Sequence, residues 1–285
     1  MTIKHIIISG GAYNGIDLIG IVCELYEKKY FLRTSIQSVY GSSAGAIVLA
    51  IWLLDIEKEV LFDFIIRKPW NKIYSFNAEM LIDMFNNKGV LDNKLIFEIM
   101  SPLLKSKNLN PDITLFEFYN YTKIKFKVYT THFNDWKGIC LDHEKYPDMK
   151  LIQALYMSSA MPVIFKPAVF DNCLYIDGAI TKHFPVKSAL EDGCSKDEIL
   201  GIRVYRPDEH SIDQDSSFFQ YIGGMMNNVV GAFASLEQED IPNYIFHSVP
   251  RMGSEIEEAL FKPEKRQEMI NRGIRSATIF LQSRV

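Results

Sequence analysis

The residues best placed to do chemistry lie in one short glycine-rich segment, Gly41-Ser42-Ser43-Ala44-Gly45. The segment fits the G-x-S-x-G pattern and stands between a strand-like run and an apolar helical run. A nucleophilic serine needs this setting, because its hydroxyl must project from a tight turn at the carboxyl edge of a sheet. Ser43 is therefore the candidate nucleophile. A glycine- and serine-rich turn without chemistry is the simpler alternative.

A second glycine-rich turn, residues 9–15, opens another helical run. Backbone N–H groups at the start of a helix are unpaired and carry the positive end of its dipole, so the turn suits a negative charge. The dinucleotide pattern G-x-G-x-x-G fails, because its third position falls on Ala12 or Tyr13, and no Walker lysine is present. The turn is therefore a better fit to an oxyanion hole than to a phosphate site.

The third candidate is a carboxylate, Asp177, at the end of the short apolar run Leu174–Ile176. Gly178 and Ala179 follow it. An isolated Asp-Gly pair is usually no more than a turn. The Asp-Gly pair alone therefore does not establish a chemical role for Asp177; such a role depends on the other motifs of the chain.

The elements that must position these residues alternate between two periods. Ile3–Ser9 and Ile36–Tyr40 are predicted as buried strands, and helices are predicted over Asn14–Tyr30 and from the second glycine-rich motif to about Asp55. This order of strand, turn and helix is typical of a parallel sheet built from βαβ units.

The whole chain, residues 1–285, is predicted to form a single domain. The middle, from Glu57 to about Tyr121, is mostly helical in pattern, with breaks at Pro69, Gly89 and Pro111. Arg206–Ser217 is the best loop candidate. Further strands are predicted at Lys125–Thr131, Ile199–Tyr205 and, more weakly, Tyr244–Val249.

The composition excludes several classes of protein. The 285 residues include 31 Lys and Arg and 35 Asp and Glu, a net charge of −4, which argues against nucleic-acid binding. A content of 48% apolar and 23% charged residues is ordinary for a globular protein. The scattered cysteines argue against a zinc ribbon or a disulfide scaffold and suit a reducing compartment. They are Cys23, Cys140, Cys173 and Cys194.

No signal peptide is expected, because the apolar run at the N-terminus is short and no cleavage site follows it. The longest apolar stretch, Ala44–Leu54, is about half of what a membrane span needs. The protein is therefore expected in the cytoplasm or at the surface of membranes. No cofactor and no metal are expected, since Asp83, Asp92 and Asp112 lack the spacing of a metal-binding loop.

Two apolar stretches near the C-terminus have alternative interpretations. Phe218–Glu237 is rich in Met, Phe and Gly and is predicted as a core helix, with an acyl groove or a lid as the alternative. Lys262–Leu281 is predicted as a final helix packed on the core, with membrane docking as the alternative. Its basic residues are expected to form a solvated face. They are Lys265, Arg266, Arg272 and Arg275.

The three motifs, in this order, resemble those of the patatin-like phospholipase family. Two further segments agree with the family: Ala154–Pro167 resembles its A-x-x-x-S-x-A-x-P-x-x-F-x-P segment, and Asn87–Asp92 resembles its N-x-G-L-x-D segment. The resemblance covers about Ile3 to Val186. Five matches in order make coincidence a poor explanation.

The resemblance implies a role for each matching residue. Ser43 corresponds to the nucleophile and Asp177 to the general base, and Gly10, Gly11 and Ala12 correspond to the loop that holds the oxyanion. It also implies a three-layer α/β/α fold around a mainly parallel sheet. The implied activity is hydrolysis of lipid or phospholipid acyl esters by a Ser–Asp dyad without a catalytic histidine, with peripheral membrane contact.

Three residues depart from the family pattern. Ala12 stands in place of a third glycine, and Asn14 stands where Arg or Lys is common. His183 replaces the usual Asn and is expected to hold the Asp177 loop by hydrogen bonds. Because of Ala12 and Asn14, the resemblance does not predict the headgroup of the lipid substrate or the rate of the reaction.

Three alternatives remain at this stage. A Ser43–Asp177–His247 triad is possible in formal terms. A lipid-binding protein on the same fold, with weak or lost catalysis, is another reading. An acyltransferase would use the same dyad.

Overall fold

The computed structural model describes residues 2–73, 86–205, 212, 214–216, 218–236, 239–249 and 255–284. The strands are β1 His5–Ile8, β2 Ser38–Ser42, β3 Gly89–Leu91, β4 Lys125–His132, β5 Lys137–Leu141, β6 Val163–Phe165, β7 Ala168–Phe170, β8 Cys173–Asp177, β9 Ile199–Tyr205 and β10 Asn243–Ser248. The helices are α1 Gly15–Glu27, α2 Ala44–Leu53, α3 Lys58–Arg67, α4 Lys94–Ser106, α5 Leu115–Thr122, α6 Leu151–Ser159, α7 Val186–Glu191, α8 Phe218–Leu236, α9 Glu255–Phe261 and α10 Pro263–Gln282.

The main sheet, within the described residues, has eight strands. Seven follow the order β10-β9-β1-β2-β4-β8-β7, and β5 pairs with β4 outside this path. The first five strands of that order are mutually parallel, whereas β5, β7 and β8 are antiparallel to their neighbours. β3 and β6 form a small parallel pair of their own. The mainly parallel sheet predicted from the βαβ pattern is thus confirmed.

Both faces of the sheet are covered, because side chains alternate along each strand. Ile6 and Ile8 pack into a large core with apolar side chains of α1, α2, α4, α6 and α10. Ile7 points the other way, into a smaller core with Tyr40 and with Val186 of α7. The three-layer α/β/α architecture implied by the resemblance is therefore confirmed.

The final helix, α10, packs along α1 as predicted and Arg275 is exposed, but Arg266 and Arg272 do not lie on a solvated face. Arg266 is buried and donates hydrogen bonds to the main-chain carbonyls of Ile66 and Ala259. Arg272 forms an ion pair of 2.5 Å with the buried Asp17. Helical periodicity cannot show these partners, which belong to other elements. The apolar side of α10 is buried, which argues against the docking alternative; its members include Met269, Ile270, Ala277 and Phe280.

The predictions for the remaining strands, helices and loops were confirmed in part. The strand Ile199–Tyr205 is confirmed residue for residue, but the break at Gly89 is in fact the start of β3. The core-helix interpretation of α8 is wrong for its described side chains, residues 221–234, since only Ala234 is buried. Asp83 and most of Arg206–Ser217 lie outside the described residues.

Candidate active site

Ser43 occupies the sharp turn between β2 and α2. Its φ of 52° and ψ of −128° place it in a region that residues with side chains rarely adopt. Such strain is typical of functional turns, because the surrounding structure must hold it. Gly45 makes the turn possible: a Cβ atom there would lie 2.4 Å from the carbonyl oxygen of Ser9, so only glycine lets α2 approach the end of β1.

Strand β4 aligns Ser43 with Asp177, although the two residues are 134 positions apart. Val128 pairs with both β2 and β5, and Thr130 pairs with both β8 and β5. A strand has two edges, so β2 and β8 share one edge of β4, opposite β5. Ser42 pairs with Tyr129 and Asp177 with Thr130, which are consecutive residues of β4. The ends of β2 and β8 therefore meet.

The meeting point is a short hydrogen bond. Ser43 Oγ donates to Asp177 Oδ2 at 2.6 Å, and the amide of Ala179 donates to Asp177 Oδ1 at 2.8 Å. Both carboxylate oxygens thus have donors, as a buried ionised carboxylate requires. Ser43 is 6% exposed and Asp177 1%. The pair has the geometry of a nucleophile beside a general base.

Burial raises the pKa of the Asp177 carboxyl to about 7, while the hydrogen bonds from Ser43 and from the amide of Ala179 act to lower it. Desolvation disfavours the charged form and therefore dominates. A general base works best when its pKa lies near the working pH. The environment of Asp177 tunes the carboxyl toward that task.

Ser158 is a site residue to which sequence reasoning gave no role. Its hydroxyl accepts a hydrogen bond from the amide of Ser43 at 2.8 Å and donates to the carbonyl of Tyr129 at 2.5 Å. These bonds tie the strained turn to β4 and to α6. The signal lay in the Ala154–Pro167 segment, which contains Ser158, but a sequence pattern does not reveal which backbone group a hydroxyl meets.

The predicted oxyanion turn, Gly10 to Ala12, joins β1 to α1 beside the nucleophile. The amide of Gly10 donates to the carbonyl of His183 at 3.0 Å, so this amide already has an acceptor within the protein. Ala12 has a φ of 50° and accommodates the conformation that a glycine would otherwise supply. His183 thus connects this turn to the segment after Asp177 through its main chain.

Asn14 stabilises the same turn by hydrogen bonds. It is fully buried, and both its amide and its side-chain Nδ2 donate to the carbonyl of Gly11, at 3.1 and 3.0 Å. A trans peptide is planar, so its C=O and the next N–H point in opposite directions. Holding the carbonyl of Gly11 therefore fixes the direction of the Ala12 N–H.

The alternative triad with His247 does not form. His247 is buried on β10, where Nδ1 lies 2.8 Å from Ser276 Oγ and Nε2 lies 3.3 Å from Asp17 Oδ1. Asp177 is instead bonded to Ser43 and Ala179. Within the described ranges, no three His, Cys, Asp or Glu residues lie close enough to hold a metal ion.

The chain is similar in sequence to two viral proteins. One relative, the probable lipid hydrolase 463L of Invertebrate iridescent virus 6, is 28% identical over 190 residues, which are 66% of this chain and 63% of that protein. The match thus spans less than two thirds of that relative. A second relative, the uncharacterized protein R571 of Acanthamoeba polyphaga mimivirus, is 25% identical over 228 residues, 73% of this chain and 67% of that protein.

A solved structure shares the fold. VipD from Legionella pneumophila matches with a TM-score of 0.58 at 15% identity, covering 99% of this chain and 67% of that one. The family model of patatin-like phospholipases matches residues 6–190, which include both glycine-rich turns and the carboxylate. The chain belongs to the patatin-like phospholipase family.

Proposed function

We propose that this protein is a lipid acyl hydrolase of the phospholipase A or lysophospholipase type, working through a Ser43–Asp177 dyad. The observation that carries the proposal is the 2.6 Å hydrogen bond from Ser43 Oγ to the buried carboxylate of Asp177. Family membership and the relative named as a probable lipid hydrolase support the substrate class.

The reaction has two halves. In the first, Ser43 Oγ attacks the ester carbonyl and its proton passes to Asp177, while amides of Gly11 and Ala12 stabilise the oxyanion. The alcohol leaves with the proton held by Asp177, and an acyl-serine remains. In the second half, water attacks the acyl-serine and gives a proton to Asp177. Collapse of that intermediate releases the fatty acid and returns the proton to Ser43 Oγ.

Hydrolysis of a medium-chain p-nitrophenyl ester and of phospholipid vesicles tests the proposal. We expect Ser43→Ala to abolish both reactions and Asp177→Asn to lower kcat by about 10²-fold or more, the usual contribution of a general base. Ser42→Ala is a near-neighbour control on the nucleophile assignment. Wild-type turnover by Ser43→Ala would show that the dyad is not the active site.

A fluorophosphonate probe separates the hydrolase from a lipid-binding protein on the same fold. An activated serine reacts with the probe, whereas a plain hydroxyl does not. We expect labelling at Ser43 in the wild type and none in Ser43→Ala. A folded wild-type protein without labelling and without ester hydrolysis would favour the binding protein.

A further inference from the structure

Helix α8 lacks charge to an unusual degree. Its 19 residues include no Asp, Glu, Lys or Arg, although charged residues make up 23% of the chain. Its polar residues are only Gln, Asn, Ser and Tyr, and exposed apolar side chains on such a helix mark a surface that contacts protein or lipid. Here Tyr221 is 55% and Met225 44% exposed.

A neighbouring turn extends this apolar surface. Phe133 and Trp136, between β4 and β5, are 41% and 44% exposed. The ring of Trp136 stacks on that of Phe233 in α8, with centroids 6.0 Å apart and planes at 9°. The rings of Phe133 and Trp136 are 6.5 Å apart, so this turn and the end of α8 share an apolar surface. These residues and the exposed Tyr221 and Met225 of the same helix are called the α8 face below.

The α8 face lies at the same edge of the sheet as the candidate active site. Parallel strands end at a common edge, and Ser43 follows β2 just as Phe133 follows the parallel strand β4. Helix α8 also packs on the Gly178–Ile180 turn, which comes directly after Asp177. Helix α8 therefore packs next to the segment that carries Asp177.

We propose that the α8 face docks on a lipid surface with zwitterionic headgroups and so brings acyl esters to the dyad. The choice of a lipid rests on the proposed function. Trp and Tyr suit the boundary between headgroups and acyl chains, since each has an apolar body and a polar tip. An anionic surface would call for clustered Lys and Arg, which α8 lacks. None of the helices in the described ranges has the length and apolarity to span a bilayer.

Binding to phosphatidylcholine vesicles tests the proposal in a Ser43→Ala background, where turnover does not consume the vesicles. We expect Tyr221→Glu with Met225→Glu to weaken co-sedimentation by about tenfold, because each change puts a charge where apolar contact is needed. Val60→Glu is the matched control: Val60 lies on α3 and is also 55% exposed, and its substitution should leave binding unchanged.

Trp136 provides a second signal. Its fluorescence should shift to shorter wavelength with vesicles, and Trp136→Phe should remove the shift although Trp52 and Trp70 remain. In the protein with Ser43 intact, the double substitution should slow hydrolysis of vesicles by a larger factor than hydrolysis of a soluble p-nitrophenyl ester, and Val60→Glu should slow neither.

The docking proposal would be overturned if the parent protein did not bind vesicles, or if the double variant bound them equally well. It would also be overturned if the parent protein self-associated in the ultracentrifuge without binding vesicles and the double variant abolished this self-association. Failure of the proposed function looks different. It would appear as absence of Ser43-dependent hydrolysis of the soluble ester, which the binding experiment does not involve.

Discussion

At the scale of single residues, the titration of the buried Asp177 should make reactivity rise and stability fall as the pH increases through about 7. The proposed dyad needs the ionised carboxylate, which burial disfavours by raising its pKa to about 7. We therefore expect kcat/KM to rise with pH up to a plateau above about 7. Stopped assays on a soluble ester between pH 5 and 9 measure this profile. A flat profile across pH 7 would contradict the role of Asp177 as the base.

The same titration affects folding. The pKa of Asp177 is about 7 in the folded protein, against 3.8 as the reference value, so the folded state binds more protons between these values. The stabilisation that the folded state gains from protonation of Asp177 is complete below pH 3.8 and is lost as the pH rises through 7. Asp177→Asn lacks this loss, so its unfolding free energy should gain on the wild type by about 3 kcal/mol between pH 5 and 8.5.

Urea unfolding of both proteins at the two pH values measures this difference, in which all other titrating groups cancel. Asp177→Asn should thus lose most of its activity and gain stability relative to the wild type as the pH rises from 5 to 8.5. A difference that does not change with pH would mean that the Asp177 carboxyl stays ionised in the folded protein.

At the scale of elements, the turn between β1 and α1 depends on Asn14. Without Nδ2 the Gly11 carbonyl keeps only the donor from the Asn14 main chain, so the direction of the Gly11–Ala12 peptide is held less firmly. We expect Asn14→Ala to lower kcat by about tenfold with little change in KM, since a misdirected oxyanion donor acts on the transition state.

Asn120→Ala, an exposed amide on α5, is the control for this substitution. Asn14→Asp should not rescue the rate, because its carboxylate cannot donate to a carbonyl. Labelling by the fluorophosphonate probe should slow in proportion to kcat. Unchanged kcat in Asn14→Ala, with the protein folded, would show that the turn holds its shape without this bond.

The sequence predicts elements where one local pattern decides the structure. The turn around Ser43 is such a case, because G-x-S-x-G between a strand and a helix leaves little choice. Strands β6 and β7 have three residues each, too few for any period to show. The helical pattern predicts that Arg266 on α10 is solvated. In the structure its guanidinium is instead buried and donates hydrogen bonds to carbonyls of α3 and α9. Contacts between distant elements decide such residues.

At the scale of the whole molecule, the region matched by the family model does not complete the sheet. Residues 6–190 include β1 but not β9, which pairs with β1 in parallel. They also exclude α10, which covers α1. Removing residues 191–285 would open an edge in the middle of the sheet and uncover α1. The predicted oxyanion turn joins β1 to α1, so we expect the proposed active site to depend on the C-terminal third.

We therefore expect a fragment of residues 1–190 not to fold. Burial of Met269, Ile270 and Phe280 alone contributes roughly 5 to 9 kcal/mol, as much as the roughly 5 to 15 kcal/mol that stabilises a whole domain. Circular dichroism of the fragment, with full-length Ser43→Ala as the folded control, measures this. Urea unfolding of the full chain should give coincident transitions by circular dichroism and by tryptophan fluorescence, because one cooperative unit contains both cores. A soluble, helical fragment, or two separate transitions, would instead divide the chain into two domains.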